Sequence, residues 1–299
     1  MSNSQQNYIV GIGEALWDML PEGRKIGGAP ANFTYHVSQF GLDAVAVSAV
    51  GDDELGAEIR QTFEEKDLQT QLATVPYPTG TVAVTLDAKG IPHYEICEGV
   101  AWDNIPFSPE LEALARNTIA VCYGTLAQRN SVSRKTIESF IATMPADGIK
   151  ICDINLRGTF YDKQIIADSM QRCDILKIND EEIVEVCRLL GIDSSDKRRA
   201  ALTLMGRYEI DILILTCGAK SSHIYCIDGT ESTQKTPRVE VADTVGAGDS
   251  FTGAFIAMLL LGADIAKAHK VAVEVAAYVC TQQGAMPELS EQLKEKFDL

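Results

Sequence analysis

The chain has 299 residues, 46% of them hydrophobic and 23% charged, the balance of a soluble globular protein with room for one large α/β domain and an appendage, or for two ordinary domains. Its net charge of −16 disfavours broad binding to nucleic acid or to an anionic membrane, but a phosphorylated ligand depends on local N–H groups, Arg and Mg2+ and is not excluded. Eight cysteines without a Cys-x-x-Cys, and a polar N-terminus without a signal-peptide core, predict a reduced cytoplasmic protein with neither zinc site nor disulfide frame.

In chain order, Tyr8–Gly13 reads as a buried strand ending in glycines. Leu16 stands where a dinucleotide fingerprint needs its third glycine, and no helix start follows, which excludes a nicotinamide site. No Gly-Lys dipeptide occurs, so a Walker A loop is excluded too. Residues 14–27 are short, polar and turn-rich around Pro21-Glu22-Gly23. Pro30, behind two turn glycines, suits the first turn of a helix that runs to about Phe40 and ends at Gly41. Val45–Gly51 is a buried strand, and Asp52-Asp53-Glu54 caps a helix reaching about Lys66.

From Thr81 the pattern changes to a hairpin, with Thr81–Asp87 and His93–Cys97 flanking a Lys89-Gly90 turn. Paired with 14–27, it predicts a small β lid outside the main sheet. Regular alternation follows: strands 119–123, 149–154, 174–178 and 211–217, and helices 133–144, 163–172, one from Asp180, and about 195–208. Such alternation argues for a mostly parallel, doubly wound sheet. Ser222–Ile227 and Arg238–Val241 are two further expected strands, and an Ala/Val helix covers 265–282.

The stretch Val241–Phe251 reads as a strand stopping at Asp243, then a glycine turn opening a helix that is apolar on nearly every side. The N–H groups of Gly246, Ala247 and Gly248 would face out of a positive helix end, where anions bind. Asp249 in that place is either a base or a helix N-cap.

The run Asp243–Phe251 resembles the C-terminal signature of the ribokinase-like (PfkB) sugar kinases, and Gly27-Gly28-Ala29-Pro30-Ala31-Asn32 resembles their N-terminal one. The resemblance implies a sugar pocket made by Gly28, Asn32 and Asp18, residues that otherwise read as a turn glycine, a helix-surface amide and a solvated acid. Asp153-Ile154-Asn155-Leu156-Arg157 is similar to a stretch of the fructokinase-like branch, and implies that Arg157 clamps the transferring phosphoryl group; a surface pair with Asp162 is the alternative. Asn179-Asp180-Glu181-Glu182 resembles the Asn-x-x-Glu motif, with Glu182 organising Mg2+ through water, although Asn179 as a plain N-cap fits the same geometry. Thr216-Cys217-Gly218 resembles the nucleotide-binding turn, with Ser221 where relatives usually have a glycine. Gln283-Gly284-Ala285 resembles the last adenine-side loop, and Asp243 belongs to the surroundings of a monovalent cation such as K+ in relatives.

These resemblances imply an ATP- and Mg2+-dependent sugar kinase with Asp249 as base and the Gly246–Gly248 amides as anion hole. The expected fold is α/β, with a kinase domain of residues 1–13, 28–80 and 106–299 and a lid of 14–27 and 81–105. Ala101–Ile105 and Gly124–Arg129 look fructokinase-like, which points to fructose 6-phosphate as product. Ribose, 2-keto-3-deoxygluconate or a riboside is the alternative acceptor, and a catalytically silent sugar-binding regulator the alternative class. Apolar strand faces with no covering helix in the lid predict a homodimer through it.

Overall fold

A computed structural model describes residues 7–20, 23–86 and 92–297. The expected turns at Pro21-Glu22 and Lys89-Gly90 lie outside the described residues. In chain order the first elements are β1 (Tyr8–Ile12), β2 (Leu16–Leu20), β3 (Gly23–Gly27), α1 (Ala29–Ser38), β4 (Ala44–Gly51) and α2 (Glu54–Glu65). Next come β5 (Gln69–Val75), β6 (Gly80–Leu86), β7 (Pro92–Ile96), α3 (Pro109–Arg116), β8 (Thr118–Gly124), α4 (Ser131–Thr143) and β9 (Ile149–Asp153). The last are α5 (Lys163–Gln171), β10 (Ile175–Asn179), α6 (Glu182–Leu190), α7 (Lys197–Tyr208), β11 (Ile212–Thr216), β12 (Ser221–Cys226), β13 (Glu231–Lys235), α8 (Ala247–Leu260), α9 (Ile265–Cys280) and α10 (Glu291–Phe297).

Nine strands form one sheet in the order β13-β12-β11-β10-β9-β8-β1-β4-β5. All pairs from β5 to β11 are parallel, and β12 and β13 close one side antiparallel. Along each inner strand, successive side chains serve opposite helix layers. Ile9, Ala120, Cys122, Ile151 and Ile175 pack with α1, α8 and α9. Val10, Val121, Tyr123, Cys152 and Leu176 pack with α3–α7 on the other face. Burial on both faces is why these strands read as unbroken apolar runs.

The chain lays β4 and β5 on one side of β1, then crosses to β8 on the other side and continues outward through β9–β11. Strand order therefore reverses between β1 and β8, and the crevice beyond the carboxyl ends of such strands is where open α/β sheets bind ligands. A separate four-stranded sheet, β3-β2-β6-β7, stands over this edge; β2 runs antiparallel to β3 and parallel to β6. Residues 101–104, included in the expected lid segment, form a 3-10 turn whose Trp102 is fully buried in the main core.

One expected strand needs correction. Arg238–Val241 is not a strand: Val239 and Val241 are exposed, and Ala242 and Asp243 donate to the Cys280 carbonyl at the end of α9 (2.9 and 3.3 Å). The ninth strand is instead the polar Glu231–Lys235, paired only to β12, so it carries no apolar alternation to reveal it. The edge strand β5 and the helix α3, absent from the sequence reading, are likewise partly exposed.

Candidate active site

The helix α8 starts as the glycine turn demands. Gly246, its N-cap, has φ 78°, and a Cβ there would lie 2.7 Å from the Ala285 backbone, so only glycine lets the 284–285 loop close on the turn. From Ser250 to Met258 the helix is buried, which matches its all-round apolarity. The expected trio of open amides is modified: Ala247 donates to the Thr244 carbonyl (3.3 Å), because the turn closes on itself before the helix begins. At a helix start the first four N–H groups lack intrahelical acceptors, and Gly248 and Asp249 lie within that set.

Asp249 sits in this first turn. The residue keeps part of its surface open, but its carboxyl is set deep among protein atoms. Burial first, and then the negative charge of Asp153, push its pKa up to about 6; a hydrogen bond from Asn32 and the charges of Lys177 and Arg157 oppose the rise. Asn32 Nδ2 donates to Asp249 Oδ2 at 2.7 Å. Its own Oδ1 is buried without a partner.

Below the turn lies a buried ion pair that the sequence reading did not single out. Lys177, in the middle of β10, donates to Asp153 Oδ1 at the end of β9 (3.0 Å), and both side chains are under a tenth exposed. Its Nζ lies 3.0 Å from where a Cβ on Gly248 would be. Burial alone would lower the Lys177 pKa, but Asp153, Glu182 and Asp249 outweigh it and hold the ammonium charged. Thr252 Oγ1 reaches the second Asp153 oxygen at 3.4 Å.

Asp18 lies on β2 of the small sheet, and Gly28 is the N-cap of α1. Burial raises the Asp18 pKa, Arg157 and Lys25 lower it, and Asp243 raises it, so these charges share one neighbourhood. Arg157 is exposed, and its charge also reaches Glu14 and Asp249. Asp162, its alternative partner, caps α5 by accepting from Ile165 N (2.8 Å), and no ion pair joins the two among the described residues.

Asn179 ends β10 directly beside Thr216 on β11. Its Oδ1 accepts from the amides of Glu181 and Glu182, the N-cap role that its type favours. Both carboxylate oxygens of Glu182 accept backbone N–H groups, from Leu156 (3.0 Å) and Asn179 (2.9 Å). The described residues contain no cluster of three or more His, Cys, Asp or Glu able to cage a metal. Glu182 is 7% exposed with both oxygens held by backbone N–H groups, so a divalent ion here would be carried on phosphates and waters and not by this carboxylate directly.

Gly218, with φ 53°, turns β11 into β12, and its carbonyl accepts from Thr236 Oγ1 (2.8 Å). Asp243 accepts from Val245 N (3.1 Å), Gly284 N (3.2 Å) and Lys25 Nζ (3.2 Å). With an ammonium and two amides on it, Asp243 does not offer a free carboxylate to a monovalent cation. A separate cavity of about 380 Å³, lined in part by Asp103, Arg129, Arg134 and Phe160, includes none of the residues around Asp249.

Residues 22–292 match the family model described as pfkB family carbohydrate kinase. The chain is 26% identical over 312 residues to an ATP-dependent 6-phosphofructokinase of Thermoanaerobacterium thermosaccharolyticum, covering 97% of this chain and 94% of the relative. It is 26% identical over 306 residues to a fructokinase of Vibrio alginolyticus, covering 96% and 97%. The structure of a Xylella fastidiosa fructokinase with bound ATP superposes with a TM-score of 0.85 at 20% identity, covering 98% of this chain and all of that one.

Proposed function

The chain belongs to the pfkB family of carbohydrate kinases, and from that premise we propose that it transfers the ATP γ-phosphate to a primary hydroxyl of fructose, giving fructose 6-phosphate. The observation that carries this reading is the Asn32–Asp249 hydrogen bond, which joins two segments 217 residues apart around one carboxylate. Asp18, Gly28 and Asn32 hold the sugar. Asp249 takes the hydroxyl proton as the oxygen attacks the γ-phosphorus and the bond to the departing ADP oxygen breaks. The glycine-turn amides, chiefly that of Gly248, meet the charge developing on the transferred group, with the Lys177 ammonium beneath them. Arg157 approaches the same group from the β9 loop. Thr216, Gly218 and Gly284 lie on the nucleotide side. Mg2+, when bound, would neutralise phosphate charge, and Asn179 and Glu182 would help to order its waters.

A panel of sugars with coupled ADP detection tests the reading. Fructose is expected to give the highest kcat/KM. A preference of about tenfold or more for ribose, 2-keto-3-deoxygluconate or a riboside rejects fructose and leaves the family intact. A phosphorylated hexose is the second reading, favoured by the 6-phosphofructokinase relative, and fructose 6-phosphate belongs in the panel. Sugar binding with no ADP formed would instead mark a regulator.

The small sheet offers a further expectation. Its outer strands β3 and β7 have no strand neighbour on one side among the described residues, and Met19 on β2 is exposed. Pairing of two copies through this sheet covers such edges. Sedimentation at micromolar concentration is expected to give a dimer, and a strict monomer rejects the lid interface.

A further inference from the structure

Glu14 lies at the carboxyl end of β1, at the point where strand order reverses, between β1 and β2. The residue is 4% exposed. A carboxyl is seldom buried without partners, because removing its charge from water is costly. One part of its environment is structural. The backbone N–H groups of Glu14 itself and of Ala29, the first residue of α1, act on its carboxyl, and the N-cap of that helix, Gly28, has no side chain to do so. Gly28 runs so close that a Cβ on it would sit 2.3 Å from the Glu14 carbonyl oxygen.

Capping accounts for only part of the carboxyl. Its Oε2 is buried and has no hydrogen-bond partner, and so is Asn32 Oδ1, three residues into the same helix from Ala29. Two orphaned polar atoms thus stand near the first turn of α1, one on the β1–β2 connection at Glu14 and one on the helix itself at Asn32, and Asn32 binds Asp249 with its other end. Unsatisfied buried polar atoms are destabilising unless a ligand completes them. The charges that act on Glu14 are those of Asp249 and Arg157, both on the site. Burial above all raises its pKa to about 7, with Asp249 adding to the rise and Arg157 opposing it, so a neutral acid and a carboxylate coexist near neutrality.

We infer that Glu14 is a sugar-contacting, specificity-determining residue: its free oxygen hydrogen-bonds one acceptor-sugar hydroxyl, beside the hydroxyl that Asn32 Oδ1 engages. The inference rests on the kinase reading for the identity of the pocket, but not for its test. No bond is made or broken at Glu14, and the group only positions the polyol against Asp249.

Sugar binding is measured by calorimetry without ATP, using fructose and its monodeoxy analogues on wild type, Glu14→Gln and Glu14→Ala. Melting temperature and ATP affinity are followed in parallel. Glu14→Gln keeps the shape and an acceptor for Ala29, and Glu14→Ala removes both. The expected result is a loss of sugar affinity of at least about tenfold in Glu14→Ala, the usual worth of one polar contact, with ATP affinity unchanged. One deoxy analogue, lacking the contacted hydroxyl, should bind wild type and Glu14→Ala equally. Glu14→Gln should fall between them and lose the pH dependence of sugar binding near 7. Unchanged sugar affinity with a lowered melting temperature overturns the inference and leaves Glu14 a helix cap. Equal losses across all analogues, or no sugar binding by wild type, overturn it too. Sugar binding with no ADP formed, by contrast, rejects the kinase reading alone.

Discussion

Asp249→Asn is expected to lower kcat by at least ~10²-fold, the usual contribution of a general base. The replacement keeps size, the N-terminal place in α8 and an acceptor for Asn32 Nδ2, but it removes the group that takes the proton. Sugar and ATP affinity should change far less. Stability has a definite sign. The folded pKa of about 6 lies above the ordinary 3.8, so the folded state favours the protonated carboxyl, and this favourable contribution is lost as pH rises through about 6. At neutral pH, then, the ionised Asp249 opposes folding, and Asp249→Asn should melt no lower than wild type. The advantage should vanish below about pH 4, where the carboxyl is protonated in both states. Retention of more than about a tenth of wild-type kcat would sink the proposed mechanism.

Lys177→Met is expected to be the most destabilising of the substitutions considered. It leaves Asp153 buried with its ammonium partner gone, a loss of about 3–5 kcal/mol for pairs of this kind. For a chain of this size that corresponds to a melting temperature lower by roughly 10 °C. Adding Asp153→Asn should restore much of it, since the double variant has no unpaired charge.

The same pair gives a readout in catalysis. Lys177 lowers the Asp249 pKa and Asp153 raises it. In wild type the acid limb of kcat/KM should fall near pH 6. Asp153→Asn should move it to lower pH and Lys177→Met to higher pH. Glu14, whose pKa is also near neutrality, is acted on by Asp249 and Arg157, so a limb that follows Asp153 belongs to Asp249. A limb that ignores both variants would show that another group titrates.

Much of the site was legible because its chemistry is encoded in short, local spacings. Gly246 must adopt a positive φ against Ala285, and Asp249 follows within the same helical turn, so a nine-residue run carries both backbone geometry and charge. The Gly27–Asn32 run does the same for the start of α1. The parallel sheet was legible for a related reason: strands covered on both faces must be apolar throughout, and helices between them must be amphipathic. β13 and β5 escaped notice because an edge strand with exposed faces has no such pattern, whereas exposed Val239 and Val241 mimicked one.

What the tertiary structure alone decided is which distant groups share a low-dielectric neighbourhood. Lys177 lies between Leu176 and Ile178 and gives no sign in sequence that it is buried against a carboxylate 24 residues away. Glu14 reads as one polar residue in a turn, and only the packing of β1 against the start of α1 buries it and leaves an oxygen unpaired. Asn32 carries its residue type in the sequence, but its partner does not follow from it. The distance to Asp249, and with it the protonation of that carboxyl, depends on how α1 and α8 pack side by side on one sheet face. Burial and charge pairing act through space and decay over a few ångströms, so they are properties of the folded arrangement, while backbone geometry and helix ends are written in adjacent residues.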